Sequence, residues 1–200
     1  MSQDQIGQVL RLVQDAGVLR PRELDAHGIP REILRRLSDR GLLARVGRGL
    51  YMLPDAAVTE HHTLAEASKR VPQGVVCLLS ALCFHGLTTH VPAEVWMALP
   101  NKVWRPRVDA PAMRFVRFSG DAFESGIEAH HLEGVLVRVY NPAKTVADCF
   151  KYRNKIGLDV ALEALRDCLR QRRCTVDELW EFARICRVAP VMQPYIEATV

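Results

Sequence analysis

Four glycines punctuate the stretch Arg20–Leu53, RPRELDAHGIPREILRRLSDRGLLARVGRGLYML, and leave room between them for short elements only. Arg20 to His27 carries one apolar anchor, Leu24, and ends at Gly28, a residue suited to a left-handed helix stop. Pro30 then stands where a helix can begin, because its missing N–H costs nothing in the first turn. Over Arg31 to Arg40, the helical period gathers Ile33, Leu34 and Leu37 on one side. It sends Arg31, Glu32, Arg35, Arg36 and Asp39 to the other. Gly41 stops this helix. Leu42–Val46 and Leu50–Leu53 read as strands joined through Gly47-Arg48-Gly49, a turn that closes a hairpin. The expected unit is a winged helix, which lays one helix in a DNA major groove with a cationic loop beside it.

Amphipathic helices with arginines outside are commonly nothing more than solvated surface, and some winged helices bind proteins. The charge distribution separates these readings. Residues 20–48 contain eight arginines (Arg20, Arg22, Arg31, Arg35, Arg36, Arg40, Arg45 and Arg48) against four carboxylates, and no lysine. Their excess of +4 equals that of all 200 residues. Arginine's planar fork matches phosphates and guanine edges. DNA binding is therefore favoured, with Arg31, Glu32, Arg35 and Arg36 reading bases, and Arg20, Arg22, Arg45 and Arg48 on phosphates and in the wing.

Upstream, Ile6, Val9, Leu10 and Val13 have helical spacing from Ser2 to Ala16, with Ser2 or Asp4 as cap. Gly17 ends that helix, and Val18-Leu19 supplies a short first strand. We expect the DNA-binding domain over residues 1–54, a linker over 55–59 and a second domain over 60–200. The second domain reads as two helices (His61–Arg70 and Val75–His85) and strands at Val95–Leu99, Met113–Phe118, Gly126–Leu132 and Val135–Tyr140. Helices follow from Asn141-Pro142 to Phe150, over Leu158–Arg170, and over Val176–Ile185 behind Thr175. The fold class is α+β, a small sheet packed on helices after the winged helix-turn-helix.

Composition bounds the function. At 48% hydrophobic and 25% charged residues, the chain has an ordinary globular balance. No signal-like start and no apolar run of membrane length is present, so a cytoplasmic location is the default. The six cysteines include no C-x-x-C pair and read as buried reduced thiols rather than zinc ligands or disulfides. His61-His62 and His130-His131 are adjacent pairs whose rings diverge in a helix or a strand. Lys144 and Asp148 lie one helical turn apart, the spacing of a surface ion pair. Neither metalloprotease, phosphate-loop nor serine-hydrolase motifs occur. The chain is expected to have no catalytic residues, no metal and no cofactor. Trp180 reads as core, Trp96 is ambiguous, and Trp104 sits in the basic loop NKVWRPR, where it could touch nucleic acid or a partner.

Three ordered stretches carry a resemblance. RRLSDRGLLARVGRGLYML, then LLSALCFHGLT with EVWMALP, then VYNPAKTVADCFKY, together resemble the AbiE-family (AbiEi-like) antitoxins of bacterial type IV toxin–antitoxin systems. The resemblance spans nearly the whole length. It implies a repressor on inverted repeats of double-stranded DNA in its own promoter. It also implies a C-terminal domain that neutralises a nucleotidyltransferase-like toxin without a stable complex. The other reading left open is a winged-helix regulator whose second domain is a ligand sensor or an enzyme.

Overall fold

Apolar residues at i, i+3 and i+7 in the first helix need a partner surface, and α1 (Gln3–Ala16) finds it in the segment that follows. Val9 and Val13 are fully buried with Leu24, Ile33, Leu34, Leu37 and Leu43 in one cluster. The computed structural model describes residues 3–56, 59–108 and 110–199. The expected cap Ser2 and part of the 55–59 linker lie outside the described residues. The chain forms two compact units. One runs to Lys69 and includes His131–Leu136; the other comprises Arg70–His130 and Val137 onward.

In the first unit, α1 leads to the helix expected before Gly28, which is of the 3-10 type and spans Pro21–His27. With seven residues and one buried anchor, Leu24, the tighter winding suffices before Gly28 turns the chain at φ 64°. Helix α2 (Glu32–Asp39) follows, with Gly41 left-handed at φ 71° behind it. Strands β1 (Ala44–Gly47) and β2 (Leu50–Met52) pair antiparallel around Arg48-Gly49, and a bulge lies between Arg45 and Gly47. Leu19 makes an isolated antiparallel bridge to Tyr51 where a short first strand was expected at Val18-Leu19. Helix, helix, turn, helix and hairpin make up the winged helix. Helix α3 (His62–Arg70) completes the run of this unit.

The second unit is built on a mixed five-stranded sheet in the order β5-β4-β3-β7-β6. Its first elements are β3 (Val75–Val76) and α4 (Leu78–Phe84). Here the structure corrects a single helix expected over Val75–His85. Val75 and Val76 pair with β4 (Val95–Pro100) antiparallel, and Val76 pairs with β7 (Val135–Tyr140) parallel. Leu78, at φ 47°, sets the break before α4. An unbroken apolar run has no periodicity to separate a doubly buried strand from a buried helix.

Strand β5 (Met113–Phe118) runs parallel to β4 at one edge, followed by the one-turn α5 (Asp121–Glu124). β6 (Ile127–Leu132) forms the other edge and has no buried residue, whereas β7 alternates buried valines with exposed or half-buried Leu136 and Arg138. The remaining helices are α6 (Pro142–Lys151), α7 (Arg153–Ile156), α8 (Leu158–Arg170), α9 (Val176–Ile185) and α10 (Ala189–Thr199). Asn141 caps α6 by accepting from the Lys144 amide at 2.8 Å, and Thr175 caps α9 in a reciprocal box with Glu178. Helix α10 lies beyond Ile185, the end of the last helix expected from the sequence.

Helix α6 packs against α4, α8, α9 and α10, and every residue from Ala143 to Phe150 is buried. Lys144 and Asp148 are consequently 0% and 1% exposed, not a surface pair. Lys144 Nζ donates to Asp148 Oδ2 at 2.5 Å and lies 4.1 Å from the Tyr140 ring centroid and 4.6 Å from that of Phe118. The Cys186 thiol donates to the other carboxylate oxygen at 3.3 Å. Burial pushes the Asp148 carboxyl above its usual range despite these partners. A second correction concerns the cysteines. Cys168 and Cys174 are joined in a disulfide, their Cα atoms 5.8 Å apart, while Cys77, Cys149 and Cys186 are buried free thiols and Cys83 is half-buried. Because α8 ends between the first two, the chain turns back and brings them together at a spacing that carries no motif.

Candidate nucleic-acid interface

The buried side of α2 fixes what its other side presents. Ile33, Leu34 and Leu37 lock into the core of the first unit, which leaves Arg31, Glu32, Arg35 and Arg36 exposed, as the helical period requires. Arg35 Nε lies 3.8 Å from Asp39, and Arg36 donates to Glu32 at 3.3 Å. All four partners in these two pairs are more than half exposed. Such i,i+4 pairs contribute about 0.3–0.5 kcal/mol, so both guanidiniums can exchange their carboxylates for a stronger anion at little cost.

Arg31 is held differently. Its guanidinium grips both oxygens of Asp25 across the Gly28 turn, and this hydrogen-bonded pair holds the Asp25 carboxyl below its ordinary range. Arg31 thus links the 3-10 helix to the start of α2 while facing solvent. Arg20 is also partly committed to the fold. Its Nη1 donates to the Lys69 carbonyl at 2.8 Å, and its backbone amide donates to Glu23 at 2.7 Å. Glu23 in turn pairs with Lys69 Nζ at 2.8 Å. Arg22, Arg45 and Arg48 are exposed, with Arg48 at the hairpin tip and Arg45 Nε on the Gly47 carbonyl at 3.4 Å. The arginines assigned to bases thus share one helix face, and those assigned to the backbone divide between half-buried Arg20 and three exposed side chains.

Sequence reasoning missed the network around Glu133. Thr59 donates to its carboxylate through both N (2.7 Å) and Oγ1 (2.8 Å), and His62 Nδ1 lies 2.6 Å from the second oxygen. Burial raises the Glu133 carboxyl, but these hydrogen bonds together outweigh it and hold it below the ordinary value. Seventy-odd residues separate the partners in sequence, and no local pattern announces them. Of the paired histidines, His62 is taken by Glu133, while His130 packs on Phe84 with ring centroids 4.8 Å apart. Among the described residues, no three His, Cys, Asp or Glu side chains converge as metal ligands. No helix of the described residues is long and apolar enough to cross a membrane.

Comparison with known proteins now bears on this surface. Residues 8–54 match the family described as "Transcriptional regulator, AbiEi antitoxin". Over this segment the chain is similar to the AbiEi regulators. The match ends one residue beyond the last wing strand expected from the sequence and contains every arginine assigned to DNA. None of the curated proteins matches the chain. Among solved structures, the fold is similar to that of the RV2827C protein from Mycobacterium tuberculosis, with a TM-score of 0.60 and 14% identity over 91% of this chain and 72% of the other. At that identity the likeness concerns the fold alone.

Proposed function

We propose that the chain is an autoregulating repressor and antitoxin of a type IV toxin–antitoxin system. The observation that carries the DNA-binding part is the exposed face of α2, where Arg35 and Arg36 form weak, exposed pairs inside the AbiEi-matching segment. In this reading, α2 enters the major groove of inverted repeats in the chain's own promoter. Arg31, Glu32, Arg35 and Arg36 read bases, while Arg20, Arg22, Arg45 and Arg48 hold phosphates. The C-terminal domain, residues 60–200, neutralises a nucleotidyltransferase-like toxin without forming a stable complex. That assignment follows from the AbiE-family resemblance of the sequence. The protein works in the cytoplasm, is not an enzyme, and needs no cofactor.

Arg35→Ala is expected to weaken operator binding by about 1–3 kcal/mol and to relax preference at one base position. The test is titration of the full-length protein against its own upstream duplex and a shuffled duplex of the same length. Equal affinity of the parent protein for both would end the repressor reading. Neutralisation is tested by expressing the adjacent toxin gene from an unrelated promoter, so that repression cannot rescue growth. The parent protein and Arg35→Ala should then both protect cells; failure of the parent to protect would mean that toxin control reduces to transcription.

The hairpin tip supplies a prediction of a different kind. Arg48 lies on the two-residue turn between β1 and β2, the wing tip to which a phosphate contact is assigned. Arg48→Ala should weaken all duplexes alike and reduce the slope of log affinity against log salt by about one unit. An unchanged slope would remove Arg48 from the phosphate contacts.

A further inference from the structure

In the second unit, one edge of the sheet is strongly basic and carries an exposed aromatic side chain. Residues 101–118 contain five cations, Lys102, Arg105, Arg107, Arg114 and Arg117, against one carboxylate, Asp109. Trp104 is 88% exposed, whereas Trp96 is buried. Cations on an edge strand such as β5 commonly serve only to prevent strand-to-strand aggregation. That purpose accounts for Arg114, which pairs with Glu94 at 2.8 Å and stacks on Trp96. It does not account for Trp104, since an exposed tryptophan beside an open edge promotes association.

The loop that presents Trp104 is held in place. Arg117 Nη1 donates to three carbonyls, those of Pro100 (2.9 Å), Asn101 (3.0 Å) and Val103 (2.5 Å). Arg105 lies 5.4 Å from the centroid of the Phe115 ring. Between Trp104, Arg105, Met113 and Phe115 lies a recess of about 510 Å³. The basic surface continues beyond β5. The Tyr152 hydroxyl approaches the Arg117 carbonyl at 3.4 Å, and Lys155 stands 5.5 Å from the centroid of the Tyr152 ring.

We infer that this face of the second unit binds single-stranded RNA, with Trp104 stacking on an unpaired base and Lys102, Arg105, Arg107 and Lys155 on the flanking phosphates. Charge complementarity calls for a polyanion. The exposed indole calls for one whose base faces are accessible, and RNA loops and ends offer both. Duplex DNA keeps its bases stacked and cannot use Trp104 in that way. The inference goes beyond the operator-binding role, since it involves other residues and another nucleic acid.

The experiment measures binding of the full-length protein to a labelled, unstructured oligouridylate, alone and in the presence of saturating unlabelled operator duplex. Binding should persist with the operator bound and be accompanied by quenching of the exposed tryptophan. Trp104→Ala should weaken RNA binding by about tenfold, with Trp104→Phe retaining most of it and operator affinity unchanged in both. Arg35→Ala should do the reverse, so failure of this inference and failure of the repressor reading give different results. The inference is overturned if Trp104→Ala binds the RNA as the parent does. It is also overturned if an RNA duplex, or the deoxy counterpart of the oligouridylate, binds as tightly, or if operator displaces the RNA completely.

Discussion

Lys144→Met is expected to lower stability at neutral pH by about 3–5 kcal/mol, because it leaves the Asp148 carboxylate buried without its cation. Lys144 is wholly enclosed, and among the described residues the Cys186 thiol is the other side chain hydrogen-bonded to Asp148. The loss is thus of a different order from that of an exposed i,i+4 pair such as Arg36 with Glu32. The pH response carries a sign. Burial already raises the Asp148 carboxyl in the folded state, so its ionisation opposes folding as pH rises above the unfolded value of about 4. Removing Lys144 raises that carboxyl further. The variant's deficit should therefore be largest near neutral pH and should shrink on acidification toward about pH 5. Lys144→Met/Asp148→Leu, which removes both charges, should recover to within about 1 kcal/mol of the parent or exceed it. Urea denaturation of the three proteins at both pH values is the measurement. A single variant as stable as the parent, or a double variant no better than the single, would show that this pair is not held as a buried ionic unit.

That same pair shows where sequence reading stops. The spacing of Lys144 and Asp148 was legible, but the surface assignment followed from residue type. The packing of α6 among four other helices determines burial, and those helices lie elsewhere in the sequence. The winged helix was legible for the opposite reason. Its signals are local: Gly28 and Gly41 adopt the left-handed backbone they announced, and the period of Ile33, Leu34 and Leu37 alone settles which arginines face solvent. The alternation in β7 is equally readable, while Val75 and Val76 carry no period to set them apart from the helix expected there. Within the candidate interface, Arg35, Arg36, Arg22 and Arg48 stand exposed. Arg20 is drawn toward the Lys69 carbonyl, a contact 49 residues away that no local pattern encodes. Trp104 and its loop were noticed as a basic stretch. The anchoring by Arg117 and the aromatic neighbour Phe115 emerge only when β5 lies beside β4.

Gly17→Ala is expected to destabilise the first unit by about 2–5 kcal/mol, the sum of two separate costs. Gly17 has φ +62°, where a Cβ costs roughly 1–2 kcal/mol. A Cβ there would also fall 1.4 Å from the Glu133 carbonyl oxygen, a backbone atom that cannot swing aside, and overpacking of this kind costs about 1–3 kcal/mol more. The reverse side of the contact is equally tight, since a Cβ on Gly134 (φ +75°) would meet the Gly17 amide nitrogen at 2.6 Å. Gly28 supplies the control. It has φ +64° but open space around its missing Cβ, so Gly28→Ala should show the backbone penalty alone. The difference between the two variants isolates the contact between the end of α1 and the Glu133-Gly134 turn. Because Glu133 also receives Thr59 and His62, displacing that turn should disturb the start of α3, and amide exchange at His62 and Leu64 should rise in Gly17→Ala but not in Gly28→Ala. Equal destabilisation by the two alanines, with no change in exchange at α3, would mean that the turn yields freely and that Gly17 is required for its backbone angle alone.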